Sequence, residues 1–291
     1  MNHFWTNTIW YVLLGVSAIF EVIFSIIKAV RRKFAFAFYM TLVGVVLSFE
    51  TMILILFSAY NYFPMIILTS PFDDVLAGNL FSQFSVAATA LVIAVFNLEY
   101  YWIFILSGIY GLIEELFLAL GVYSQNWYRT WMTVVGLIIY FWWAKKNYSK
   151  RLEGINPLRY YYYIILGLFP LDVVTFLWAF ILSGYQNYTK SFIPDPVRSP
   201  YVVAVLYYVL VATTMVSIYF SKFKWTLKSI VISAIYGVNY LAYRKHIFYF
   251  FNTGWFLIFS TISIFSMYLS VVFLDHLFKT SKLSELDIRG N

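Results

Sequence analysis

The chain has 291 residues, of which 62% are hydrophobic, 23% aromatic and only 11% charged. A soluble domain carries about 25% charged residues, so this chain could not keep its surface wet, and a disordered chain needs the opposite bias. There is no cysteine, which excludes disulfides, iron–sulfur clusters and thiolate metal sites.

A membrane-spanning helix needs about 20 mostly apolar residues. Nine stretches qualify: roughly 8–29, 36–60, 75–96, 100–121, 129–144, 160–183, 201–220, 225–243 and 249–276. Runs such as Leu-Val-Ile-Ala-Val-Phe at 91–96 lack the alternation of a barrel strand. Only a helix satisfies such a backbone in lipid. The expected class is therefore all-α, a polytopic transmembrane helix bundle of nine spans. The first span is too long for the core of a cleaved signal peptide and is expected to stay.

The basic residues sort by side. Clusters at 28–33, 145–159, 222–228 and 279–289 put fifteen Lys and Arg on one side, against Arg129, Lys190, Arg198, Arg244 and Lys245 on the other. The positive-inside rule makes the richer side cytoplasmic, with the N-terminus outside and the C-terminus inside. One loop breaks the pattern: Asn97–Glu99 should be inside but carries no basic residue. A missed or overcounted span is expected there or in 61–72. The net charge of +7 follows from clusters facing anionic lipid heads and calls for no nucleic-acid partner. Tryptophans such as Trp5, Trp10, Trp127 and Trp131, and on the other side Trp142, Trp143 and Trp225, are expected at the two interfaces.

Short segments recur at nearly constant spacing. Ser107-Gly108-Ile109-Tyr110-Gly111 returns as Ser233-Ala234-Ile235-Tyr236-Gly237, Ser58-Ala59-Tyr60 as Ser183-Gly184-Tyr185, and Ser70-Pro71-Phe72 as Ser199-Pro200-Tyr201. This predicts a first helix with its basic loop (1–35), two parallel four-helix repeats (36–158 and 159–282) and a cytoplasmic tail (283–291). Parallel repeats occur in some transporter folds.

The buried acids carry the functional signal. No Lys or Arg lies deep in a span, but Glu21, Glu50, Glu114, Glu115 and Asp172 do, and Asp275 sits near an inner end. An ionised group at a helix centre costs about 2.5–3.5 kcal/mol, so such residues are candidate sites. Asp172 follows Pro170, which cannot donate to the carbonyl of Leu166. A freed carbonyl beside a carboxylate suits a cation or proton, as at interrupted transporter helices; a plain proline kink with Asp172 bonded to a hydroxyl is the alternative. At an offset of 125, Glu50 pairs with Thr175 and Asp172 with Leu47, so each repeat would present one acid on the same helix face. Glu114 and Glu115 are adjacent and diverge by about 100°. Asp73-Asp74 reads as a helix N-cap.

Other chemistry is missing. Glu114-Glu115 resembles the Glu-Glu-x3-Arg motif of CAAX-type proteases, but Ala119 holds the arginine's place and His3, His246 and His276 are not mid-span. No mid-span lysine could hold retinal, no Gly-rich phosphate loop exists, and no Ser-His-Asp set can be assembled. Neither cofactor nor metal is expected. Leu112-Ile113-Glu114-Glu115-Leu116-Phe117 resembles the segment of lycopene cyclase domains, which implies a metal-free membrane enzyme acting on a lipid or carotenoid. The Glu115…Gly121…Tyr123…Trp127 pattern is similar to uncharacterised polytopic membrane proteins of Bacillus-type bacteria, implying a bacterial plasma membrane and no activity. The expected function is binding or transport of a small solute or ion at the midplane carboxylates. The alternatives are a sensor or assembly protein whose acids serve helix packing, and the lipid-modifying enzyme. The loop at 184–200 is the largest and the best candidate for an external partner contact.

Overall fold

Nine helices form where the nine apolar runs lie, as seen in a computed structural model that describes residues 3–149, 157–252 and 254–289. They are α1 (Phe4–Lys28), α2 (Arg32–Leu56), α3 (Pro71–Val95), α4 (Tyr100–Ala119), α5 (Thr130–Ser149), α6 (Pro157–Leu182), α7 (Ser199–Phe220), α8 (Trp225–Arg244) and α9 (Trp255–Arg289). All but α5 and α8 are long and apolar enough to cross a bilayer, seven in all, which fits a multi-pass membrane protein. The two that fall short lose apolar length to their polar ends: α5 closes on Lys145-Lys146-Asn147 and α8 carries Lys228 and Arg244. Lys150 and Arg151 of the basic cluster, and the side chain of Thr175, lie outside the described residues.

Among the described residues four short strands interrupt the helices: β1 (Tyr60–Tyr62), β2 (Tyr123–Gln125), β3 (Gln186–Tyr188) and β4 (Phe248–Phe250). They pair antiparallel as β1 with β2 and β3 with β4, with Tyr60 opposite Gln125 and Gln186 opposite Phe250. This corrects two boundaries. The second apolar run does not stay helical to 60, and the last helix starts at Trp255 rather than 249, because the aromatic residues at these points sit in the extended backbone of β1 and β4.

Each strand is entered the same way. A left-handed residue stands two positions before it: Ser58 (φ 54°), Gly121 (φ 70°), Gly184 (φ 74°) and His246 (φ 56°). At Gly121 the preceding helix closes with the amide of Val122 on the Phe117 carbonyl (3.1 Å) and that of Gly121 on Leu118 (3.1 Å). The amides of Ile247 and His246 do the same on Ala242 (2.9 Å) and Tyr243 (3.1 Å). This double closure satisfies helix-end carbonyls that lipid cannot. The order α2–β1–α3–α4–β2–α5 thus recurs as α6–β3–α7–α8–β4–α9. By this landmark Ser58 corresponds to Gly184, one residue beyond the Ser183 suggested by sequence.

The chain divides into two units, one holding α1–α5 together with the end of α9 from Leu277, and the other running from Leu158 to His276. In the first, α3 is the central helix. Ala87, Ala88, Ala90 and Ala94 are buried along it, and small side chains let neighbouring helices approach closely in lipid. Across from α3, α1 leaves Leu13, Val16, Phe20, Ile23 and Ile27 exposed at alternating spacings of three and four, an apolar stripe for hydrocarbon. In the second unit the buried residues of α7, among them Tyr207, Tyr208, Val211, Ala212 and Met215, hold the corresponding place.

Two loops resolve open points of the sequence. The 61–72 stretch holds no additional span: it is strand β1 and loop until α3 begins at Pro71. Asp74 accepts the backbone amides of Met65 (3.0 Å), Ile66 (2.7 Å) and Ile67 (2.8 Å). The acid therefore caps the loop before α3, while Ser70 occupies the N-cap position, which corrects the N-cap expectation. The Asn97–Glu99 turn, which lacks a basic residue of its own, receives one from α5. Lys145 Nζ donates to the Leu98 carbonyl (2.5 Å) and lies over the Tyr100 ring (4.3 Å).

Gly78 fixes how β1 meets α3, since a Cβ there would stand 2.6 Å from Cβ of Tyr62. Gly78→Ala is expected to destabilise the protein by about 1–3 kcal/mol, the range for overpacking a core. Unfolding titrations in mixed detergent micelles measure it; a variant as stable as the parent would contradict this packing.

Candidate functional site

The buried acids fall into two kinds: those that own a hydrogen-bond donor and one that does not. Glu50 ends the α-helical part of α2, just before a widened π-helical turn at Thr51–Leu56. The hydroxyl of Tyr60, on β1, donates to its Oε2. Glu114, on α4, accepts from Nε2 of Gln125 (2.7 Å), on β2, which also reaches Thr130 (3.0 Å). Tyr60 and Gln125 face each other in the ladder. One residue pair of the small sheet thus supplies a donor to each of two carboxylates from two helices.

A shell of tyrosines closes over this arrangement. The Tyr60 ring packs on Tyr62 (5.5 Å), Tyr123 (5.4 Å) and Tyr128 (5.2 Å) between centroids. All four are buried. Burial pushes the hydroxyls of Tyr60 and Tyr62 well above the ordinary tyrosine range and that of Tyr128 up to about 12.

Glu21 sits apart from them, on α1. Thr89 donates to it (2.8 Å) and also meets the Tyr110 hydroxyl (2.9 Å), which meets Ser85 (2.9 Å). Glu115 joins neither group; it is exposed on α4, on the side of Leu112 and Leu116. In the second unit, Asp275 accepts the hydroxyls of Tyr160 and Tyr219, each at 2.7 Å.

Asp172 differs. It lies in the π-helical turn Phe169–Leu177 of α6, behind Pro170, and its side chain is 2% exposed. Neither carboxylate oxygen has a hydrogen-bond partner. Ser266 and Ser270 of α9 are the polar side chains that lie against it. The carbonyl given a side-chain donor near Pro170 is that of Ile165, from Tyr208 on α7 (2.5 Å), one residue before the expected Leu166. An unpaired buried carboxylate is costly, and π-helical bulges are frequent at functional sites.

No group of three or more His, Asp and Glu side chains suited to a metal ion occurs among the described residues. Compared with known proteins, the chain matches no family model, no curated protein and no solved structure.

Sequence reading singled out the acids but missed their donors. Gln125, Tyr160 and Tyr219 carry no motif, Tyr60 stands out only as part of the recurring Ser58-Ala59-Tyr60 segment, and Asp275 reads only as a helix-end acid. For Tyr60 and Gln125 the one available signal was a hydroxyl or amide just beyond a helix end; Tyr160 and Tyr219 lie within helices and offered none.

Two outcomes are expected here. Tyr60→Phe leaves the Glu50 carboxyl without its partner and should cost about 1–3 kcal/mol, the range for a buried polar group left unsatisfied; unfolding in mixed micelles reads it. Tyr128 holds its proton more tightly folded than unfolded. Its stabilisation is therefore complete below pH 10, the ordinary tyrosine value, and is lost as pH rises from there to about 12. An alkaline titration following phenolate absorbance should show this tyrosine ionising later than the exposed ones.

Proposed function

We propose that the protein binds a proton or a small monovalent cation at Asp172 and moves it across a bacterial plasma membrane. The observation that carries this is the Asp172 carboxylate, buried within the span, with no hydrogen bond of full geometry and with the hydroxyls of Ser266 and Ser270 against it. An intramembrane carboxylate is retained where it serves an ion or proton path. The absence of any three-ligand cluster among the described residues argues for a singly charged species over a divalent metal. The likeness of Glu115–Trp127 to Bacillus-type membrane proteins supports the choice of membrane.

All nine helices span in this proposal. The N-terminus lies outside and the basic clusters lie inside, with α2–α5 and α6–α9 as parallel repeats after α1. The recurring helix–strand order supports the duplication. The placement of Lys145 against Leu98 supports a cytoplasmic 97–99 turn.

The remaining acids favour a packing role. Glu50, Glu114, Glu21 and Asp275 each accept from a side chain on another element. Such bonds hold helices together in lipid at roughly 0.6–2 kcal/mol each.

The test is ion flux into proteoliposomes, with an internal pH dye for protons and a tracer for sodium. Asp172→Asn should lower the flux at least tenfold with an unchanged gel-filtration profile and helix content, and Asp172→Glu should retain part of it. Flux in Asp172→Asn equal to that of the parent, or parent vesicles no more permeable than protein-free ones, would defeat the proposal.

A further inference from the structure

The two units turn a helix into a strand with the same backbone bond, yet they place different residues at that corner. In the first unit the amide of Phe63 donates to the Val122 carbonyl (2.9 Å); in the second that of Thr189 donates to the Ile247 carbonyl (2.8 Å). Around the first corner stand Pro64, Ala119, Leu120 and Gly121, all uncharged. Their counterparts around the second are Lys190, Arg244, Lys245 and His246, and all four are exposed. The ladder brings them together. Gln186 pairs with Phe250 and Tyr188 with Phe248, so the same register continued past Thr189 sets Lys190 opposite His246, next to Lys245.

Three observations set this cluster apart from an ordinary helix end. A cation in the last turn is favoured by the helix dipole, and α8 carries Arg244 there. But α4 ends in the same way on Ala119 with no cation, and Lys190 comes from another element. His246 takes the left-handed backbone (φ 56°) that Gly121 takes in the first unit (φ 70°). A side chain there costs energy that glycine avoids, so the imidazole is kept against a backbone preference. Finally, no acid of the unit balances the charge. It holds three: Asp172 and Asp275, within α6 and α9, and Asp195. Asp195 is engaged by Arg198 (3.5 Å) and by the amides of Val197 (2.9 Å) and Arg198 (3.3 Å). Lys190, Arg244 and Lys245 are also three of the five basic residues read as outside, where the positive-inside rule disfavours them.

Resting on the topology proposed above, we infer that Lys190, Arg244, Lys245 and His246 bind the phosphate of an anionic phospholipid in the outer leaflet. A guanidinium offers paired N–H donors that match two phosphate oxygens, and ammonium groups add charge to the same site. Clusters of Lys and Arg beside the end of a span recognise such headgroups. The neighbouring surface selects a lipid over a soluble anion. Val238, Leu241 and Arg244 follow one another at spacings of three, on one face of α8, and Val238 and Leu241 are exposed. An acyl chain lies along them when its phosphate sits at Arg244. Ile247 and Tyr249, also exposed, border the headgroup on the strand side, and an amphipathic ring is at home at that level. A soluble polyanion gains nothing from this apolar track.

The chain has no cysteine, so Ser191→Cys, on the exposed loop beside Lys190, gives the full protein a single labelling site. A membrane-impermeant maleimide should label it in intact cells. Labelling only after lysis would put the cluster inside and overturn the outer-leaflet site. A fluorophore on the same cysteine, with the protein in uncharged micelles, then reads binding of short-chain phosphatidylglycerol. That lipid should bind about tenfold more tightly than short-chain phosphatidylcholine, and replacing Lys190, Arg244 and Lys245 together by Gln should remove the preference. If the triple variant fails to fold, Lys190→Gln decides alone, with an expected loss of about threefold. His246→Gly should weaken binding while melting no lower than the parent, which a purely structural histidine would not do. Equal affinity for the two lipids would overturn the site, and inorganic polyphosphate binding more tightly than phosphatidylglycerol would overturn the lipid as its occupant. Asp172→Asn should bind phosphatidylglycerol as the parent does, so failure of the ion site and failure of the lipid site are read separately.

Discussion

A hydrogen-bonding group in hydrocarbon can turn only to the chain that carries it. That constraint sets the helices, and it also explains what happens where they end. At each helix that leads into a strand, a left-handed residue folds the backbone over so that the last carbonyls find amides, and the next few residues pair with a strand from elsewhere in the same unit. These two-stranded ladders of three residue pairs are too short to be stable alone. They persist because their side chains answer polar groups on the helices.

The same rule separates the acids by role. In the first unit, the ladder delivers a tyrosine to Glu50 and an amide to Glu114, and a threonine reaches Glu21. In the second unit, Asn239 takes the place that Glu114 holds, at an offset of 125, and the ladder positions opposite each other are Gln186 and Phe250. The donors that quench carboxylates in one unit are replaced by an aromatic ring in the other. Asp172 sits in a π-helical turn, as Glu50 sits beside one, but it is approached by two serines of a helix and by no ladder residue.

Much of this architecture could be read in advance, and the boundary of what could be read is physical. Apolar runs the length of a bilayer announce their helices because lipid permits no alternative, so the nine elements stood out. The acids stood out for the same reason, since their cost is visible wherever they occur. The strands did not: Tyr60–Tyr62 and Phe248–Phe250 are three residues long and aromatic, indistinguishable from helix ends until the partner strand, sixty residues away or more, is known. The donors of Glu50 and Glu114 depend on that pairing and so were hidden with it. Asp74 misled in a different way, because a first-turn acid and a loop-capping acid look alike until the loop folds back on it.

The contact between Lys145 and Leu98 bears on how the protein is made. The turn joining α3 and α4 has no cation of its own, and its partner is 47 residues downstream. While the ribosome is still synthesising α4, the insertion machinery sees a hairpin with no electrostatic preference for either face. Only when α5 emerges does the charge arrive that can hold the turn in place. A lysine moved along α5 would no longer reach the Leu98 carbonyl, and the turn would be left without a cation.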